Sequence, residues 1–180
     1  KARRVLGCLA VAAALAASVT PARSDVVTYA FTGTVTVGDQ IGGQLVGSFS
    51  IDTATPGAGH YVTGALFFFS IGTRPGLTAV VDHIDLINNE LSGSDRIEFG
   101  RTQPPGGGAY PTGFALFIEL TDTTHTALTS NLLTDPLPPA SAFDIAKFSF
   151  YELIVGIQAS FSAGTIDSLV RVADAAVPEP

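Results

Sequence analysis

Val27-Thr-Tyr-Ala-Phe-Thr-Gly-Thr-Val-Thr-Val37 decides the fold of this chain. Val27, Tyr29, Phe31, Gly33, Val35 and Val37 fall on one face, and Thr28, Ala30, Thr32, Thr34 and Thr36 on the other. A period of two, with β-branched residues on the wet face, is the pattern of a half-buried strand. Leu45, Gly47, Phe49 and Ile51 repeat it against Ser48 and Ser50, and Gly38-Asp-Gln-Ile-Gly-Gly43 between them supplies the turn of an antiparallel pair. Residues 52–59 are a breaker cluster and predict a loop. Residues 61–71, with Phe67-Phe-Phe69 at their centre, are apolar on both faces and predict a central strand covered on each side. Residues 77–87 read as a strand interrupted by Asp82, His83 and Asp85.

The alternation continues through 96–99 and 114–120, on either side of a Pro/Gly-rich stretch at 101–111 that no ladder can hold. Beyond the break at 135–139, residues 143–150, 153–161 and 166–172 complete the set. About nine strands at short intervals predict an all-β, antiparallel β-sandwich with a jelly-roll-like arrangement. A helix competes only over 141–154, where Phe143, Ala146, Lys147 and Phe150 have helical spacing.

Composition narrows the functional classes. The 180 residues carry 9 Lys+Arg against 16 Asp+Glu, a formal net charge of −7, and are 46% hydrophobic but only 14% charged. Globular chains are usually about one quarter charged, so Thr, Ser, Gly and Asn carry much of this surface. An acidic chain cannot neutralise a phosphate backbone, which argues against a nucleic-acid partner. A single Cys excludes a disulfide framework and a Cys-based zinc site.

The ends of the sequence give an address. Lys1-Ala-Arg-Arg4 is a basic cluster, the run from Val5 to Ala17 is apolar but short of the roughly 20 residues a membrane span needs, and Ala22 and Ser24 form a small-residue exit. This tripartite pattern describes a signal peptide over 1–24, with Asp25 as the new N-terminus. Its removal takes four of the nine bases and Cys8, leaving a domain over 25–172 with no thiol. Residues 173–180 read as a stiff linker ending in Val177-Pro178-Glu179-Pro180.

That tetrapeptide resembles the start of the PEP-CTERM sorting signal of exported bacterial proteins. The body is similar to PEP-CTERM passenger domains as well, in the phrasing of 29–37, of 45–56, of Asn88-Asn89 and of Gly164-Thr-Ile-Asp-Ser-Leu169. The resemblance implies export, processing by an exosortase, and association with exopolysaccharide and biofilm at the envelope or matrix of a Gram-negative bacterium. It implies a membrane contact only through a C-terminal anchor, which the quoted residues do not include. No catalytic residue comes with it.

Motifs for chemistry are sparse. The sequence contains no G-x-S-x-G, no H-E-x-x-H and no phosphate-binding glycine loop with a Lys. His60, His83 and His125 stand far apart in sequence, and His83 lies between Asp82 and Asp85. Glu90, Asp95, Glu98 and Glu119 are the acids available to a two-carboxylate hydrolase, with no Trp to stack a sugar. Asn88-Asn89-Glu90-Leu-Ser-Gly-Ser-Asp95 offers enough oxygen donors for calcium, though not in EF-hand order, and is equally a common Asn/Ser/Gly turn. The expectation is therefore a non-catalytic exported protein that needs no cofactor. The alternative is a carbohydrate- or calcium-binding module whose site lies between the loops at 88–95 and 101–111. Mass spectrometry of exported protein is expected to find Asp25 at the N-terminus, and a mature chain that retains Arg3-Arg4 would overturn the signal-peptide reading.

Overall fold

In the computed structural model, residues 26–88, 93–100, 113–133, 136–154 and 157–172 are described. Among them eight strands follow in order: β1 (Val26–Gly38), β2 (Gln44–Asp52), β3 (His60–Ile71), β4 (Arg74–Ile87), β5 (Asp95–Gly100), β6 (Gly113–Asp122), β7 (Ile145–Ile154) and β8 (Ile157–Arg171), with a 3-10 turn at Ala140–Ala142 before β7. Each strand pairs antiparallel with the next, and β8 pairs antiparallel with β1. The chain is all-β and antiparallel, as expected. The two-sheet sandwich is not what forms: the meander closes into one barrel.

Closure depends on the seam between β1 and β8. The pairing there slips twice, between Thr32 and Gly33 and between Val35 and Val37. A side chain at Gly33 would collide with the Thr165 carbonyl, and one at Gly164 with the Thr34 carbonyl. One glycine on each strand, Gly33 opposite Ile166 and Gly164 opposite Val35, thus lets the backbones approach where the sheet closes on itself. The expectation of two strands over 153–161 and 166–172 fails for the same reason. Gly164 does not break the chain but lets one long strand, β8, bend through the seam. Val37, expected inside, is exposed because the slip after Val35 ends the alternation.

Directly paired residues trace the stagger of the barrel. From His60 on β3 they run through Asp85, Glu98, Glu119, Lys147 and Thr165 to Thr34 and Gln44. Gly72 then donates its N–H to the Gln44 carbonyl, so the path returns to β3 twelve residues beyond His60. Such a stagger means steeply tilted strands.

The interior is packed with rings. Phe49 stacks on Tyr29 at 5.6 Å, meets Phe67 edge-on at 5.4 Å and touches Phe99 at 4.9 Å. Phe31, Phe148 and Phe150 are buried beside them. Outside, the Thr face of β1 joins its neighbours through hydroxyls: Thr28 with Ser50 at 2.8 Å, Thr32 with Ser168 at 2.7 Å, and Thr34 donating to Asp167 at 2.6 Å. Strand β3 departs from expectation on this side. Its outward Val62, Leu66 and Phe68 are solvent-exposed in this chain rather than covered.

The described residues of the connection from β6 to β7, 123–133 and 136–144, plug one end. They bury Leu128, Leu133, Ala140 and Phe143. The Tyr61 hydroxyl donates to the Asn131 carbonyl at 2.6 Å and accepts the Leu133 N–H at 3.2 Å, while the Tyr29 hydroxyl accepts the Leu137 N–H at 3.2 Å. Asp122 starts the plug by accepting the N–H groups of Thr124, Thr126 and Ala127 at 2.8–2.9 Å and the Thr124 hydroxyl at 2.7 Å. At the other end Arg74 lies over the rings of Phe114 and Phe150, 5.4 and 5.6 Å from their centres, and pairs with Glu152 at 3.0 Å. The competing helix over 141–154 does not form. Alternation wins, burying Phe148 and Phe150 and setting Lys147 outward against Glu119 at 3.1 Å.

Two outcomes follow from the seam and the plug. Gly164→Val is expected to cost about 3 kcal/mol or to prevent folding, because the clash is with backbone; Gly64→Ala, where a Cβ meets nothing within 4 Å, is expected to be near neutral in the same denaturation series. The Thr124 hydroxyl, and then the backbone N–H groups, hold the Asp122 carboxyl well below the usual carboxylate range. A lowered folded pKa contributes stability that is complete above the unfolded value near 4 and is lost as the pH falls from there toward the folded value. Denaturation curves between about pH 5 and pH 2 are expected to show Asp122→Asn losing less stability on acidification than the parent, from a lower starting point.

Candidate functional site

Strand β4 changes phase in its middle. Ala79 and Val81 are buried, but so are Ile84 and Leu86, and the two half-buried residues left between them are Asp82 and His83. Opposite, the β3–β4 register slips between Val62 and Ala65. The Thr63 hydroxyl donates to the Val81 carbonyl there and so satisfies backbone that an unbroken ladder would have paired.

Past the slip, His60 pairs directly with Asp85 and Val62 with His83. This brings four polar side chains together on the outer surface. His60 donates from Nδ1 to Asp85 Oδ1, and His83 from Nδ1 to Asp82 Oδ1 at 2.8 Å. His83 Nε2 lies 3.9 Å from Asp85 Oδ2, and the two imidazole rings are stacked, 6.1 Å apart and inclined by 24°. Acid and imidazole thus alternate as Asp82, His83, Asp85, His60. With each Nδ1 occupied by a carboxylate, the lone pair of each neutral ring resides on Nε2. The His60 side chain is 59% exposed and that of His83 12%, so the first lies at the surface, held by Asp85 and the neighbouring ring, and the second is set into the packing. Among the described residues, no group of three or more His, Cys, Asp and Glu is placed so that it could hold a metal ion.

The residues singled out in the sequence are scattered by comparison. Asp95 is fully buried and accepts the Leu128 N–H at 2.9 Å, which ties it to the plug. Asn88 follows β4 and is half-buried; Asn89 and Glu90 lie outside the described residues. Glu98 and Glu119 are paired directly across β5 and β6 on the outer face, attended by Arg96 at 3.6 Å and Lys147 at 3.1 Å. His125 belongs to the plug, at a left-handed φ of 60°, with its Nδ1 buried and unbonded. Ala22, Ser24, Asp25 and Val177-Pro178-Glu179-Pro180 lie outside the described residues.

The site expected between the loops at 88–95 and 101–111 falls mostly on residues 89–92 and 101–111, which lie outside the described residues; their described anchors are the two ends of β5. That strand spans Asp95–Gly100, and at about 3.3 Å per residue it separates the loop anchors by roughly 17 Å. A cleft of about 150 Å³ opens beneath the plug, lined by Leu86, Ala127, Leu128, Leu132, Leu137 and Pro138 among others. It falls short of the roughly 300 Å³ at which small-molecule sites begin.

The His60–His83 pairing is what the sequence alone does not give. The two rings are 23 positions apart, and no local spacing links them. The available signal was the hairpin itself. A tight turn at 72–73 pairs Ile71 with Arg74, and two register slips, between Phe69 and Ile71 and between Val62 and Ala65, cancel by the point where His60 meets Asp85. No protein-family model matches this chain, and no curated protein or solved structure matches it significantly.

Proposed function

We propose that this chain is a non-catalytic exported protein of the bacterial envelope or extracellular matrix, sorted by an exosortase through Val177-Pro178-Glu179-Pro180 and associated with exopolysaccharide. The observation that carries the reading is that tetrapeptide, standing just beyond the last strand behind a small-residue linker. Strand β8 leaves the barrel beside the start of β1, where Val172 donates its N–H to the Thr28 carbonyl at 2.8 Å. A tail that continues from there departs from a firmly paired strand, which suits presentation to a processing enzyme.

The body supports a structural role. Its interior is occupied by Tyr29, Phe31, Phe49, Phe67, Phe99, Phe148 and Phe150, so the barrel is a packed core and not a ligand chamber. Its interior is apolar, where a membrane-spanning barrel turns polar residues inward; its outer face mixes Thr and Ser with exposed Val46, Val62, Leu66 and Phe68. The described strands hold no Cys, and the apolar interior is their main source of cohesion.

The test separates body from tail. Residues 25–172 alone are expected to hydrolyse no glycoside, ester or peptide and to bind polysaccharide weakly. Moving the natural tail, from residue 173 onward, to an unrelated secreted domain should transfer surface sorting, while the tail-less body should be released to the medium. A tail-less body that stays on the cell would replace this reading with that of an adhesive module.

A further inference from the structure

We propose that the outer face of β2, β3 and β4 is a self-association surface, on which a second copy of this chain docks about a two-fold axis through Leu66.

In a closed barrel the residues that alternate with the core point outward. On this side Val46, Leu66, Phe68 and Val80 do so, and Phe68 is 56% exposed. They form one surface. Leu66 is directly paired with Val80, Phe68 stands between Ser48 and Thr78, and Val46 is paired with Ser70. On the adjoining β1 the outward residues are Thr28, Ala30 and Thr32, so no charged side chain interrupts these rows. Contiguous apolar surface of this kind, rimmed by polar groups, marks an interaction site.

Its shape is self-complementary. Gly64, Leu66 and Phe68 are successive outward positions of β3. A side chain added at Gly64 would meet nothing within 4 Å. A hollow therefore lies two residues before Leu66, and a ring two residues after it. Two copies laid face to face, with the axis running across the strands at Leu66, set each Phe68 over the other's Gly64. Leu66 and Val80 then meet their own counterparts. This is an isologous arrangement, which closes as a dimer.

Charge selects a second copy over other partners. The chain carries a formal net charge of −7, so two copies repel over most of their surfaces, and an uncharged face is where they can approach. The same net charge repels the acidic headgroups of a lipid surface. A sugar would need free hydrogen-bonding groups, and the neighbouring hydroxyls are already engaged, Thr28 with Ser50 at 2.8 Å and Thr32 with Ser168 at 2.7 Å. Hydroxyls satisfied within the chain can be covered by a partner at little cost. Four strands about 4.8 Å apart, with three outward rows about 6.7 Å apart, cover roughly 400 Å². That is about half of what a standard interface takes from each partner, so the dimer is weak and forms where the chain is concentrated.

The experiment is sedimentation equilibrium of the full chain between about 10 and 500 μM, with circular dichroism to verify the fold of each variant. A reversible monomer–dimer equilibrium is expected in that range, tightening as salt screens the net repulsion. Leu66→Asp sets two carboxylates against each other on the axis, Phe68→Ser removes the ring, and Gly64→Gln fills the hollow. Each is expected to weaken the dimer about tenfold or more. Ile145→Ser, at an exposed apolar residue on β7 across the barrel, should leave it unchanged. A parent that stays monomeric throughout, a dimer that survives any of the three face substitutions, or one that dissociates as salt rises would each overturn the proposal. So would a polysaccharide or lipid vesicle that the parent monomer binds and Phe68→Ser does not.

Discussion

Everything in this fold rests on the meeting of β1 with β8. An eight-strand meander with an unpaired first and last strand would be an open sheet, with two edges of free N–H and carbonyl groups ready to pair with other chains. Here Gly33 and Gly164 let the two backbones come closer than any side chain allows, and two register slips turn the sheet through the angle that closure needs. Once the seam is shut, the inward residues of all eight strands face one another. The ring cluster centred on Phe49 is then enclosed on all sides, and its burial in turn stabilises the closed form.

Closure also explains the plug. A barrel whose interior is apolar exposes that interior at both mouths, and each mouth here is covered differently. Arg74 lays its guanidinium over Phe114 and Phe150 at one end. The other end carries the long β6–β7 connection, a segment too irregular to satisfy its own backbone. Asp95, Asp122 and the hydroxyls of Tyr29 and Tyr61 take up its N–H groups. The polar atoms that point inward at the rim are there for that reason, since burying backbone without partners would cost more than the apolar contacts of the plug return.

Much of this was legible in the residues. The alternation over 27–35, the turn at 38–43 and the strand over 45–51 follow from period-two patterning, and the structure places them so. The choice between sandwich and barrel was not legible. Both use the same strands with the same alternation, and they differ in whether the last strand finds the first, a contact between residues more than 120 positions apart. Gly164 illustrates the difficulty: in sequence it looks like a break, and only its partner strand shows that it is a point of close approach. Asp95 misleads in a similar way, since an acid in a run of Asn and Ser suggests a ligand for a cation, whereas its burial beneath Leu128 reveals a rim acceptor. The histidine cluster lay beyond reach because it needs the register of β3 against β4, and a strand begun at 77 leaves the turn between them unplaced.

That register contains a slip of a different kind from those at the seam. The slips at the seam have an evident structural purpose, because the barrel cannot close without them. The slip between Val62 and Ala65 has no such purpose: Gly64 beside it faces open space, and an uninterrupted ladder there would pair the Val81 carbonyl without the Thr63 hydroxyl. Its effect is to shift the phase of β4 so that Asp82 and His83 stand side by side, half-buried, and Asp85 comes opposite His60. With unbroken alternation continuing from Ala79 and Val81, His83 and Asp85 would both point into the apolar interior, where neither could keep a charge without heavy cost. The irregularity is thus what allows this polar group to exist on the outer surface at all. Bulges that re-aim a side chain are commonest beside functional sites. This slip lies away from the seam and away from the hairpin turn, and it is the one that assembles two imidazoles and two carboxylates.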